Sequence, residues 1–166
     1  MVNQIHYLNL DNEAGSRLKV IFLPSYLTGK DGIANLSYYD LLIGLDATAF
    51  PSYYEPWGYT PLESIAFGIP TITTDLSGFG QWINSRKEQG LEKSGVKVLH
   101  RGDLNFVEVS EDLADSILAL SHCGKAQRAK IGQAATNVSL EAEWKHFIEY
   151  YTPVSYTHLR AHETTL

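Results

Sequence analysis

Two glutamates in the stretch "YYEPWGYTPLE", Glu55 and Glu63, stand eight positions apart around Gly58 and Pro61. Carboxylates can move protons or stabilise a positive charge that develops on a substrate. They can also be consumed in capping a helix. Thr60, Pro61 and Glu63 match a capping box with proline at the first helical position, so Glu63 has a structural use as the group that reaches back to an orphan amide. Glu55 has no such use, because it lies in the loop before that helix with Pro56, Trp57 and Gly58 behind it. Gly58 permits a positive φ or a close backbone approach. The free amides and positive dipole end of the following helix make an anion site. Together these residues predict a nucleotide or another phosphorylated ligand. No Walker-type GxxxxGKS or GxxxxGKT occurs, and "SGFGQW" supplies only G-x-G, so neither an NTPase P-loop nor a dinucleotide fingerprint is present.

The elements that must position these groups alternate along the chain. "RLKVIFLPSYL", Arg17 to Leu27, is a continuous apolar run closed by Pro24 and predicts a strand buried on both faces. "NLSYYDLLIGLD", Asn35 to Asp46, spaces apolar residues at helical intervals, and "ATAFP" reads as a short buried strand. A helix over "TPLESIAFG" stopped by Gly68, a strand over "PTITTD" and a turn over "LSGFGQW" come next. "GVKVLHR" predicts another strand, and "SEDLADSILALS" an amphipathic helix with acidic residues in its first turn, where the macrodipole favours them. "KAQRAKIGQAATNV" and "SLEAEWKHFIEYY" predict two closing helices. Strand and helix in alternation indicate a doubly wound, mostly parallel α/β sheet of Rossmann-like type, whose ligands bind beyond the carboxyl ends of the strands.

Composition narrows the function classes. With 166 residues, 44% of them hydrophobic, and a net charge of −6, the chain suits one domain with a real core. It lacks the basic footprint of a nucleic-acid binder. Its apolar runs fall short of the roughly 20 residues that span a bilayer. One cysteine, Cys123, and no signal-peptide layout point to a soluble cytoplasmic protein. Cys123 has no catalytic base beside it, His122 projecting elsewhere. His6, His100 and His146 are scattered without metal-ligand spacing, and each reads as surface or packing.

"FPSYYEPWGYTPLESIAFGIPTITTDLSGFGQW", Phe50 to Trp82, closely resembles the signature region of eukaryotic-type glycogen synthases and their bacterial relatives, retaining glycosyltransferases built of two Rossmann-like domains in the GT-B architecture. A looser likeness runs from "LKVIFLPSYL" to "EWKHFIEYY". The resemblance implies that Glu55 faces the donor glucose and helps stabilise the oxocarbenium-like charge at its anomeric carbon. It implies that the backbone at Gly58, Tyr59 and Thr60 binds the distal phosphate, that Glu63 hydrogen-bonds the ribose and that Tyr38 stacks on the base, although Tyr38 reads equally as a core aromatic. Trp57 is expected to pack the loop, and Gly78 and Gly80 either admit the donor or form an ordinary turn. The implied donor is UDP-glucose or ADP-glucose and the acceptor an α-1,4-glucan, with no metal or other cofactor. An Arg and a Lys from an earlier segment complete the diphosphate site in such enzymes. They belong with an acceptor-binding N-terminal domain expected upstream of this chain, which then represents the C-terminal, donor-binding part truncated at both ends, inactive alone, with Met1 an internal methionine. Where eukaryotic members of the family carry an arginine-rich, sugar-phosphate-sensing helix, the corresponding stretch "GKAQRAKIGQAATNV" keeps only Lys125, Arg128 and Lys130 as basic residues, which argues against that regulation here. Oligomeric state stays open. The competing readings are another GT-B transferase and a non-catalytic nucleotide-sugar or glucan-binding module; a phosphorylase would need a pyridoxal-phosphate lysine in its characteristic context, and none is present.

The end of the chain departs from this pattern. "VSYTHLRAHET", Val154 to Thr164, resembles the translation of a transposon-end adaptor used in sequencing libraries, and Pro153 breaks the helix before it. Residues 1–153 are therefore expected to form part of the C-terminal nucleotide-sugar-binding, Rossmann-like domain and 154–166 a non-native tail. On that reading, His158 and His162, at i and i+4, hold no metal.

Overall fold

The computed structural model describes residues 2–10, 12–149 and 151–153. The tail from Val154, with His158 and His162, lies outside the described residues. The chain divides into two compact units, Met1–Leu41 and Leu42–Leu166.

In the first unit a short helix, α1 (Val2–Tyr7), precedes irregular chain. The strand expected over Arg17–Leu27 does not form: Leu18, Ile21 and Phe22 are exposed and the backbone there joins no ladder among the described residues. An apolar run becomes a buried strand only where neighbouring strands accept its backbone. Here the Asn12 side chain does so instead, its Oδ1 accepting from Val20 N–H at 2.7 Å and its Nδ2 donating to Val20 O at 2.6 Å. The helix expected over Asn35–Asp46 shrinks to α2 (Tyr38–Leu42), which begins in this unit and ends in the next. Ser37 starts it, accepting from the Asp40 amide and donating to the Asp40 carboxylate. The helix stops short of Gly44, a poor helix former.

The second unit is the α/β part. Strands β1 (Thr48–Phe50), β2 (Thr71–Thr74) and β3 (Val96–Leu99) lie in the order β1-β2-β3, all parallel. Thr71 pairs with Thr48 on one side and Val96 on the other, and Thr73 with Phe50 and Val98. The central strand is buried along its whole length, as a strand covered on both faces must be. Between the strands run α3 (Tyr59–Ala66), α4 (Gly78–Asn84) and α5 (Leu91–Ser94); α6 (Phe106–His122) and α7 (Lys125–Glu141) follow β3. Residues 144–149 and 151–153 are again helical. No helix among the described residues is long and apolar enough to cross a membrane.

Alternate side chains of a strand face opposite ways, and two cores follow from that. Val96 lies with Ile65 of α3, Phe79 and Ile83 of α4, and Ala135 and Val138 of α7. Ile72 and Leu99 lie with Val109 and Leu120 of α6 and Ile131 of α7. Helices thus cover both faces, which is the doubly wound α/β arrangement. Hydroxyls tie α3 to the sheet, with Ser64 Oγ within 2.6 Å of Thr48 Oγ1 and 2.9 Å of Thr71 Oγ1.

Three boundaries differ from expectation. "LSGFGQW" is not a turn but the start of α4, because Ser77 accepts from the Gly80 amide at 3.0 Å and so caps a helix that the glycines alone would not favour. α6 begins at Phe106, ahead of the acidic stretch, so that Val109, Leu113, Ser116 and Leu120 make one inward stripe. α7 runs on through Ser139 to Glu141, and the expected break between the two closing helices falls at residues 142–143.

Candidate functional site

The carboxyl ends of the three parallel strands carry the loops in question, residues 51–58 after β1, 75–77 after β2 and 100–105 after β3. The first two are zipped together. The Glu55 amide donates to Leu76 O (3.3 Å), the Gly78 amide to Glu55 O (3.1 Å) and the Phe79 amide to Trp57 O (2.7 Å). Such an approach leaves no room at Gly78, where a Cβ would fall 2.3 Å from Pro56 O. The glycines of "SGFG" therefore serve contacts within the protein. Trp57 packs the loop as expected, its ring 6.2 Å from that of Phe79, 6.1 Å from Trp82 and 5.3 Å from Phe147.

Gly58, with φ +118°, is the N-cap of α3. This overturns the capping box. The helix starts at Tyr59, so Thr60 is its second residue and Pro61 its third, and no side chain caps it. Pro61 still costs nothing there, since first-turn amides have no intrahelical acceptor. The glycine's backbone begins the helix early enough to displace the threonine from the capping position, a left-handed conformation that sequence spacing does not reveal. Among the described residues, the amides of Tyr59 and Thr60 donate to no protein acceptor. Tyr59 itself is 70% exposed.

Glu55 is half-buried, with Oε2 3.4 Å from Ser52 Oγ. The same oxygen faces Gly58, where a Cβ would sit 3.5 Å from it. A carboxylate and the amide end of α3 thus meet at Gly58. Glu63 follows on α3, one turn beyond Tyr59 and Thr60 and half-buried. Tyr38 opens α2 in the first unit, its ring 5.2 Å from that of Tyr39 in an edge-to-face pair. A groove of about 450 Å³ lies against Pro56, Trp57, Tyr59, Trp144, Phe147 and Tyr151, and neither glutamate lines it.

A residue that the sequence did not single out completes the strand ends. Arg101, only 8% exposed, donates from Nη1 to Pro51 O at 2.6 Å, and its guanidinium lies 3.5 Å from the centre of the Tyr53 ring. Asp75 braces the same corner: Oδ1 accepts from the Arg101 amide (2.9 Å), and Oδ2 lies 2.5 Å from His100 Nδ1. His100 is thus engaged at the strand ends. The only sequence signal for Arg101 was its place directly after a strand. Cys123, half-buried, contacts Ala119 O through its sulfur and packs on the α6 core. Among the described residues no three His, Cys, Asp or Glu side chains gather as a metal site.

A parallel sheet wound on both sides, with a carboxylate and a helix N-terminus at its strand ends, defines an α/β domain of the Rossmann-like class. Comparison with known proteins gives the family. The glycogen synthase family model matches residues 1–164. The chain is 36% identical to glycogen (starch) synthase isoform 1 of Saccharomyces cerevisiae and 33% identical to glycogen (starch) synthase of Caenorhabditis elegans, over 90% and 91% of its length. It is 30% identical to the Neurospora crassa glycogen (starch) synthase over 99%. The chain belongs to the glycogen synthase family. It spans 22%, 22% and 23% of the length of these three relatives.

Proposed function

We propose that this chain is a donor-binding part of the C-terminal half of a two-domain GT-B glycogen (starch) synthase, an enzyme that acts in the cytoplasm on UDP-glucose or ADP-glucose and an α-1,4-glucan. The observation that carries the reading is the meeting of the Glu55 carboxylate with the open amide end of α3 at Gly58. Transfer breaks the bond from the anomeric carbon to the diphosphate and forms one to the glucan 4-hydroxyl oxygen. Negative charge then grows on the diphosphate while positive charge grows on the sugar. The amides of Tyr59 and Thr60, with the helix dipole, suit the first. Glu55, held between Ser52 and Gly58, suits the second, and fixed groups aimed at such charges supply most of the catalysis.

Glu63 is assigned to the ribose hydroxyls, which its place one turn along α3 from Tyr59 supports. Tyr38 is assigned to the nucleotide base. The reaction needs no metal on this reading, since helix amides and basic residues of the partner domain neutralise the diphosphate. The chain alone should bind the donor weakly and turn over nothing.

Calorimetric titration with UDP and ADP tests the assignment. Glu63→Ala should weaken whichever nucleotide binds by roughly tenfold, the loss of a charged hydrogen-bonding partner. Unchanged affinity would remove Glu63 from the site. Appreciable transfer of glucose to glycogen by this chain would overturn the half-site assignment.

A further inference from the structure

We propose that Arg101 is a positioning residue for Glu55, a clamp that reaches from the end of β3 across β2 and fixes the loop leaving β1. The inference rests on the reading of Glu55 as the donor-facing carboxylate. Three consecutive residues of that loop are held from the neighbouring strands: Pro51 O by Arg101 Nη1 (2.6 Å), Ser52 O by Thr74 Oγ1 (2.7 Å) and the Tyr53 ring by the face of the guanidinium (3.5 Å). Ser52 in turn reaches the Glu55 carboxylate. The clamp is therefore one short hydrogen-bonded chain away from the group it positions.

The charge makes the case against a merely structural arginine. A buried guanidinium is costly unless it is compensated. Among the described residues no carboxylate forms an ion pair with Arg101; Asp75 accepts from its backbone amide and faces His100. A neutral donor would serve a single carbonyl at less cost. What only a planar, delocalised cation offers is a hydrogen bond at its edge together with stacking on its face. Arg101 makes both, to residues two apart in the same loop.

The test compares Arg101→Lys and Arg101→Met with the parent chain by amide hydrogen exchange without ligand. The amides of Glu55, Gly78 and Phe79, which zip the loops, should exchange about tenfold faster in both variants, as the loss of one charge-assisted hydrogen bond implies. The Thr71 amide, bonded to Gly95 O at the other end of the sheet, should change much less. Uniform acceleration, or none at the loop, overturns the clamp. Tyr53→Leu, a change at an exposed ring, should reproduce the selective loosening even where an Arg101 variant folds poorly. A second arm titrates UDP and UDP-glucose. The preference for the sugar nucleotide should fall in Arg101→Lys as in Glu55→Gln, with no further fall in the double variant and UDP affinity unmoved. A further fall in the double variant would overturn the coupling. A parent chain that binds neither these ligands nor ADP and ADP-glucose counts against the proposed function, while the exchange arm still decides the clamp.

Discussion

Gly78→Ala is the sharpest test of how the site is assembled. The added Cβ would stand 2.3 Å from Pro56 O and 3.2 Å from Trp57 Cα, where ordinary contact begins at 3.4 Å. One backbone must retreat by about 1 Å from the other, and neither neighbour is a flexible side chain. The hydrogen bonds from Gly78 to Glu55 O and from Phe79 to Trp57 O flank this contact and cannot survive that retreat unchanged. Overpacking costs about 1–3 kcal/mol, and each of the two weakened bonds adds about 0.5–1.5 kcal/mol net, so a loss of roughly 2–6 kcal/mol is expected. Urea denaturation followed by tryptophan fluorescence reads it directly, since Trp57 and Trp82 both sit in the aromatic cluster beside the zipper. Gly102→Ala is the control, with its nearest neighbour at 3.7 Å, and should stay within about 0.5 kcal/mol. If Gly78→Ala were no worse than the control, the loops would not approach as described and Glu55 would lose its scaffold.

Thr60→Ala tests the displaced helix start. A true N-cap threonine would lose about 1 kcal/mol, whereas a second-position threonine without a capping bond should lose well under half of that by urea denaturation. The Arg86–Glu141 pair gives a pH test. Arg86 donates to both carboxylate oxygens at 2.5 and 2.7 Å, and this hydrogen bonding holds Glu141 below the usual glutamate range. The unfolded chain therefore takes up the proton first on acidification: the pair's contribution is complete above the ordinary glutamate pKa and is lost as pH falls through the depressed folded value. Because Glu141 is 57% exposed, that contribution is held to under about 1 kcal/mol. Glu141→Gln should remove it at pH 7 and flatten that part of the acid limb in urea midpoints measured from pH 7 to 3.

The parts legible in the sequence share a physical reason. "ATAFP", "PTITTD" and "GVKVLHR" all form strands because each is a short apolar or β-branched run flanked by glycine, proline or a charge, and each finds a parallel neighbour. Gly68 stops α3 as expected: with φ +73° it lets its own amide reach Ile65 O and the Ile69 amide reach Ser64 O, closing the helix end. "RLKVIFLPSYL" has the same composition but no ladder partner among the described residues, and pattern cannot supply one. The capping box failed for a related reason. Thr60 and Glu63 have the right spacing, but φ at Gly58 decides where the helix begins, and that angle follows from the packing of Gly58 against Phe79 and Pro61.

The same distinction separates the two kinds of site residue. Glu55 could be singled out because nothing local explained it. Arg101 could not, because everything that makes it unusual is tertiary: a burial, a carbonyl fifty residues earlier and an aromatic face beside it. Yet the two are physically linked. On the proposed function Glu55 must meet a sugar in a fixed geometry, which a free loop would not supply, and the loop of Glu55 is fixed on one side by the α4 start and on the other by the end of β3. Loosening either side should therefore reach Glu55, and the glycine and the arginine provide independent ways to do it.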